Sequence, residues 1–423
     1  MRGKKARFAL LFISILCFMW AEETTVPEQF LQRKGTSLFL DGKPFYEISF
    51  NKFDLIWQLI AEVNKQNTFG PEPGVAAERS LKTLSSYGFK TIRIFSVSHH
   101  SAHYVDPQKR ENLFIAIDKA LELCDRYGLR VVFCLGSADD AFWSSQKETL
   151  VDLMTMPESK SRQISESWIR EVVTRYRDRK TIAAWEVENE LLLHADIGGK
   201  KKIWSGKTVP FLEEVAAYHQ ATTALIRRID PHHLINSGDT YRECTWHNWQ
   251  ANLEGSGEKM WVQDTPEQLE EAVSLTQKGF DFYSIHYYHE NNQKKVLDLI
   301  GWKAAATKLG QPLYVGEIGM MAKNRKESKF WKENPDWFES IYGSEMPKAQ
   351  KHLINLMNHA VEANVDLTHY WTFQSDRNID QTDPQAFTID PQKTPELFQI
   401  ILDANERLQM KMMGFTYIKK PKL

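Results

Sequence analysis

The chain has 423 residues, with 53 lysines and arginines against 55 aspartates and glutamates and a formal net charge of −2. Such a balance leaves no broad cationic surface for a phosphate backbone, so nucleic acid is not an expected partner. The length fits either two average domains or one barrel with long loops, and 13 tryptophans, 14 tyrosines and 23 phenylalanines supply a large core with aromatics to spare for a cleft.

The chain opens on a targeting pattern. Arg2, Lys4, Lys5 and Arg7 precede an apolar run from Phe8 to Trp20 that ends near Ala21, with Glu22 and Glu23 behind it. The run is shorter than the roughly 20 residues needed to span a bilayer, which makes 1–21 a cleaved signal peptide and 22–423 a secreted or periplasmic chain with no membrane attachment. A lipoprotein signal at Cys17 is disfavoured by the bulky Leu16 before it. Cys124, Cys134 and Cys244 then remain, an odd number with no zinc spacing, so neither a disulfide framework nor a metal site is expected.

Ser37 to Phe45 (SLFLDGKPF) reads as two short strands around the Asp41-Gly42 turn, a hairpin that would cap the bottom of a barrel. Eight strand candidates follow at 46–51, 91–97, 130–136, 181–188, 234–238, 281–287, 312–317 and 367–373. Most are short apolar runs rich in β-branched or aromatic residues, the look of strands buried on both faces. Between them, apolar residues recur three or four apart over Ala76–Tyr87, Leu113–Tyr127, Ile164–Tyr176, Val215–Ile229, Pro347–Glu362 and Pro395–Leu408, which predicts helices. Eight β-α units predict an α/β fold, a single (β/α)8 TIM barrel. An open doubly wound sheet is the competitor, but no Gly-rich phosphate loop follows the first strand, and no cofactor is expected. The segments 137–160, 239–265, 318–345 and 374–393 are long and follow strand C-termini, where barrels build their sites.

Two glutamates end strands there. Glu190 closes Trp185-Glu186-Val187-Glu188-Asn189-Glu190, and Glu317 sits in Tyr314-Val315-Gly316-Glu317-Ile318-Gly319. Cleavage of a glycosidic bond with retention needs two carboxyl groups about 5 to 5.5 Å apart, one to protonate the leaving oxygen and one to attack the anomeric carbon. Strand ends four and seven of a barrel face one another across its mouth. On a pleated strand 186, 188 and 190 share a face while Asn189 points away, so for Asn189 and Glu190 both to reach a cleft the backbone must leave simple alternation there.

The stretch RYRDRKTIAAWEVENEL (175–191) resembles the acid/base segment of clan A glycoside hydrolases, especially family 5, the cellulase and mannanase relatives. The resemblance continues in order through SLFLDGKPF, Arg93 in TIRIF, His286 and Tyr288 in IHYY, and Trp371 in HYWTF, and so spans most of the mature chain. It implies a retaining (β/α)8 enzyme with Glu190 as acid/base and Glu317 as nucleophile, acting by double displacement on a β-linked oligo- or polysaccharide, mannan or glucan first. It also implies that Arg93 and Tyr288 serve Glu317, that Asn189 meets the sugar 2-hydroxyl, that His286 lines the cleft and that Trp371 offers a flat face to sugar C–H groups.

Each of these residues has an ordinary structural use as well. Asn189 could cap a helix, Arg93 could form an ion pair elsewhere in the barrel, and His286 and Trp371 could be core residues. Two departures from the family pattern stand out. Strand three ends Cys134-Leu135-Gly136-Ser137 where relatives carry a histidine, a role open to His99, His100 or His103, and Leu191 follows Glu190 where a proline is common. Beside hydrolysis, a catalytically silent carbohydrate-binding barrel and a transglycosylase are the remaining readings. Trp143, Trp204, Trp246, Trp249, Trp261, Trp331 and Trp337 are equally suited to sugar stacking and to anchoring their loops.

Overall fold

A computed structural model describes residues 29–96, 101–136, 146–195, 210–254, 262–288, 295–320, 346–374 and 388–415. The expected signal peptide, His99, His100, and Trp143, Trp204, Trp261, Trp331 and Trp337 fall outside the described residues.

Three short antiparallel strands come first: β1 (Gln32–Lys34), β2 (Ser37–Leu40) and β3 (Lys43–Phe45). The tight turn between β2 and β3 is made by Asp41 at φ 50° and Gly42 at φ 74°, the two positive values that an Asp-Gly pair tolerates at low cost. The expected hairpin therefore gains a third strand in front of it. Leu31, Leu38 and Phe45 pack in one apolar cluster with Val132, Ala184, Leu234, Phe282 and Leu367 from near the starts of barrel strands, which closes the bottom of the barrel.

Eight parallel strands follow: β4 (Glu47–Asn51), β5 (Thr91–Phe95), β6 (Arg130–Cys134), β7 (Ile182–Glu186), β8 (Leu234–Asn236), β9 (Tyr283–Tyr287), β10 (Leu313–Gly319) and β11 (Leu367–Trp371). Their order is β8-β7-β6-β5-β4-β11-β10-β9, which is the sequence order wrapped round a cylinder. The seam between β8 and β9 is bridged by Asp281, whose N–H donates to the Ile235 carbonyl at 2.9 Å while its Oδ2 accepts from the Ile235 N–H at 2.8 Å. Each of the eight expected strands is present, trimmed by up to two residues at either end or, for β10, extended past Glu317. Nearly every strand residue is buried, because helices cover the outside while side chains fill the inside.

The helices are α1 (Leu55–Val63), α2 (Pro73–Ser86), α3 (Ser101–Val105), α4 (Pro107–Arg126), α5 (Leu150–Thr155), α6 (Lys160–Tyr176), α7 (Leu212–Ile229), α8 (Thr245–Leu253), α9 (Pro266–Gln277), α10 (Leu299–Lys308), α11 (Met346–Glu362) and α12 (Pro395–Met412). The six helices expected from periodicity are there. Two stretches expected as loop carry short helices, α5 in 137–160 and α8 in 239–265. Helix α1 was hidden because LIWQLIAEV is buried from Leu55 through Ala61, on all sides, and so shows no polar face.

At the bottom of β4 the fully buried Glu47 accepts the Lys90 N–H at 2.6 Å, the Thr91 N–H at 2.8 Å and the Thr91 hydroxyl. These contacts tie the first two barrel strands together below the core. Glu47→Ala leaves the buried Thr91 N–H without its acceptor, and at about 1–3 kcal/mol for such a donor the variant should unfold at a lower urea concentration with an unchanged transition slope. A wild-type midpoint would show that the contacts contribute nothing.

Candidate active site

Two local departures from regular strand geometry aim side chains into the barrel mouth. In β10 the pairing with β9 runs Val315 to Ile285 and then Glu317 to His286, and with β11 it runs Val315 to Thr368 and then Ile318 to Tyr370. One residue is thus extra at Gly316, a bulge that re-aims Glu317. After β7 ends at Glu186, the chain alternates its partners: Val187, Glu188 and Glu190 donate to Asn236, Ser237 and Gly238, whereas Asn189 donates to Gly136 on the other side. Glu190 itself has φ 57°, the left-handed region. The irregularity expected at the end of strand four is therefore found, and it is what lets Asn189 and Glu190 face the same opening. Gly238, at φ 76°, lies so close that a Cβ there would meet the Glu188 carbonyl oxygen at 2.0 Å, so only glycine fits.

Arg93 is fully buried at the centre of the site. Its Nε and Nη2 donate to Glu186 Oε1 at 2.9 and 2.6 Å, Nη1 to Glu317 Oε1 at 2.7 Å, and Nη2 to Asn189 Oδ1 at 2.7 Å. Tyr288 donates its hydroxyl to Glu317 Oε2 at 2.6 Å. Both oxygens of Glu317 are thus held. His286 Nδ1 stands 2.9 Å from Glu190 Oε1 and 3.6 Å from Glu317 Oε2, between the two carboxyl groups. One oxygen of Glu190, one of Glu317 and a His286 nitrogen all lie within 4.8 Å of one another. Oxygens this near are compatible with the about 5 to 5.5 Å of a carboxyl pair working from opposite roles on one bond. The same trio could offer ligand atoms to a cation, but the imidazole nitrogen at hydrogen-bond distance from Glu190 accounts for its closeness without one.

Burial sets the electrostatics. It pushes Glu317 above the ordinary glutamate range, with the Glu190 charge adding to the rise, while His286, Arg93 and the Tyr288 hydroxyl pull it down. Arg93 does not cancel the effect of burial, being shared with Glu186. Burial also lowers His286 to about 4, so the imidazole is neutral near pH 7. Asp239 follows Gly238 and accepts the Leu192 N–H at 3.0 Å, which holds the turn after Glu190, and burial pushes its carboxyl up to about 7.

Of the residues singled out in the sequence, Glu190, Glu317, Arg93, Asn189, His286 and Tyr288 meet in one network. Trp371 is beside it, half-buried and stacked on Phe53 at 4.5 Å between ring centres, with Phe95 at 5.8 Å; its peptide bond to Thr372 is cis. Asn189 Oδ1 accepts from Arg93, so its amide nitrogen faces away from the guanidinium. Glu186, a decoy by sequence, is Arg93's bidentate partner and completely buried. Glu188 turns aside instead, against Gly136 and the Tyr218 hydroxyl at 3.3 Å. Asn51, a polar residue ending a buried run, is the member sequence reasoning passed over; its Oδ1 accepts from Arg93 Nη1 at 3.1 Å. Cys134 fills the strand-three end where a histidine was looked for, its thiol donating to the Gly136 carbonyl at 2.9 Å and held protonated by burial. Trp246 and Trp249 donate their indole N–H groups to Glu271 and Glu213, at 3.2 and 2.6 Å.

Comparison with known proteins adds a family. The model of cellulase (glycosyl hydrolase family 5) matches residues 51–364. Among curated proteins, mannan endo-1,4-beta-mannosidase 7 of Oryza sativa subsp. japonica is 24% identical over 352 residues, 74% of this chain and 82% of its own. Mannan endo-1,4-beta-mannosidase 4 of Solanum lycopersicum is 24% identical over 379 residues, 79% of this chain and 84% of its own. Among solved structures, a glycoside hydrolase family 5 mannosidase from Rhizomucor miehei superposes with a TM-score of 0.62 at 15% identity, over 92% of this chain and 99% of that one.

Tyr288→Phe removes a donor that lowers Glu317. The Glu317 carboxyl should then titrate at a higher pH than in the wild type, as followed by 13C NMR of labelled glutamate. An unmoved titration would mean that the 2.6 Å contact does not hold the carboxylate.

Proposed function

The chain belongs to glycosyl hydrolase family 5, and from that premise we propose that it hydrolyses β-1,4-linked mannan with retention, Glu317 acting as nucleophile and Glu190 as acid/base. The observation that carries the assignment of roles is the pair of donors on Glu317, one to each carboxyl oxygen. Glu317 has a guanidinium on one oxygen and a phenol on the other, and His286 Nδ1 stands 2.9 Å from Glu190 Oε1. Donors stabilise the charged form, which suits Glu317 to nucleophilic attack and leaves the proton-donor role to Glu190.

In the first step Glu317 attacks the anomeric carbon as the bond to the aglycone oxygen breaks and Glu190 delivers its proton to that oxygen. Glu190, now ionised, takes a proton from water, whose oxygen attacks the same carbon and releases Glu317. Asn189, its carbonyl oxygen anchored on Arg93, presents its NH2 to the sugar 2-hydroxyl. Trp371 offers its exposed face beneath the ring. The mannan preference and internal cleavage follow the curated relatives' names, each an endo-acting mannosidase. The positive and apolar pattern at 1–21 supports export of the enzyme, which then meets its carbohydrate outside the cell.

Purified protein should release sugar from β-mannan in preference to β-glucan, xylan and aryl β-glycosides, and Glu317→Ala should release none while keeping its near-ultraviolet circular dichroism. Sugar release by Glu317→Ala at the wild-type rate sinks the assignment; glucan as the preferred substrate corrects only the sugar. Glu190→Ala should lose about 10²- to 10⁴-fold on mannan but far less on 2,4-dinitrophenyl β-mannoside, whose leaving group departs without a proton. Equal losses on both would take the acid role away from Glu190.

A further inference from the structure

We propose that Asn51 is a positioning residue for the nucleophile: its carboxamide holds the β10 bulge that aims Glu317 and fixes the guanidinium that grips it. The inference rests on Glu317 being the nucleophile. Asn51 ends β4, is fully buried, and lies two strands away from β10 across β11. Its Nδ2 nevertheless reaches the Gly316 carbonyl at 2.9 Å and the His369 carbonyl at 3.2 Å. A carbonyl met by a side chain from two strands away is turned towards the barrel interior, which is what the extra residue at Gly316 produces. Buried and turned from its neighbour, that carbonyl needs a donor, and Asn51 supplies it.

The other half of the same amide works on Arg93. Asn51 Oδ1 accepts from Nη1 at 3.1 Å, and that nitrogen also donates to Glu317 Oε1 at 2.7 Å. The backbone of Asn51 reaches a third part of the site, its carbonyl accepting the Phe373 N–H at 2.9 Å and the Thr372 hydroxyl at 2.8 Å directly after Trp371. Its rigid planar group therefore sets the height of Gly316 and the position of Nη1 together, and Glu317 is the residue between them. Aspartate at this position keeps the volume and the acceptor for Arg93 but sets an oxygen against the Gly316 and His369 carbonyls. Alanine removes every side-chain contact.

The test compares Asn51→Ala and Asn51→Asp with the wild type and Glu317→Ala, on mannan and on 2,4-dinitrophenyl β-mannoside, per folded molecule. Both Asn51 variants should lose about 100-fold in kcat on both substrates, the scale of a misplacement near 1 Å, with KM within a few-fold. Loss on the dinitrophenyl substrate places the defect in nucleophilic attack. The acid limb of kcat/KM should also move to higher pH in Asn51→Asp, because a second negative charge beside Glu317 disfavours its ionised form. If Asn51→Ala does not fold, Asn51→Asp decides. Wild-type kcat in a folded variant, or a loss confined to KM or to mannan alone, overturns the inference. Should Glu317→Ala turn over as well, the nucleophile assignment has failed; with Glu317→Ala dead and the Asn51 variants intact, only the positioning role has.

Discussion

Arg93 places a full positive charge inside the barrel, and a charge removed from water persists only where ionised partners and acceptors replace its hydration. Six hydrogen bonds do so, to β4, β7, the turn after β7 and β10. The guanidinium suits this because its donors are fixed in one plane, so each partner is held at a set direction and not merely a set distance. Four segments of chain are thereby brought to a common reference. Replacing any one partner leaves the charge under-compensated, which makes the polar cluster stringent about geometry in a way that the apolar core, tolerant of small shifts, is not.

The charges do not cancel. Arg93 faces two carboxyl groups, Glu186 with hydrogen bonds at 2.9, 3.1 and 2.6 Å and Glu317 with one at 2.7 Å. Glu317 is left with one guanidinium hydrogen bond and a phenol, and burial then leaves it above the ordinary range. In the nucleophile role proposed for it, a Glu317 fully neutralised by its own ion pair would be a poor attacker. Sharing the cation leaves Glu317 less tightly neutralised, and the fully buried Glu186 is what makes the sharing possible.

The fold was legible in the sequence because a strand buried on both faces is written as a short apolar run, and eight such runs in alternation with helices close a cylinder. Helix α1 was not, since a helix buried from Leu55 through Ala61 carries no polar stripe to mark its period. At the site, the resemblance found Glu190, Glu317 and their immediate partners, but alternation alone could not sort Glu186, Glu188 and Glu190, which share one face of an ideal strand. Their separation depends on where β7 stops, on Glu190 at φ 57° and on the absence of a side chain at Gly136 and Gly238, so the choice is made by neighbours distant in sequence. Asn51 was illegible for a related reason. Its importance comes from a bulge 265 positions away.

Both irregularities, at Gly316 and at Glu190, serve the same geometric need. Regular parallel strands project alternate side chains into the barrel at fixed heights, and their inward residues are already committed to filling it. Two carboxyl oxygens can stand within 4.8 Å above that filled core only if each strand breaks its pleat at the last step. A broken pleat exposes backbone groups that the ladder no longer pairs. At β7 these are taken up by Gly136 and Gly238 from the strands on either side, and at β10 by the Asn51 carboxamide. Backbone repair and placement of the carboxyl group are thus one interaction at β10 and two separate ones at β7, which makes the position of Glu317 the more sensitive of the two to a single side chain.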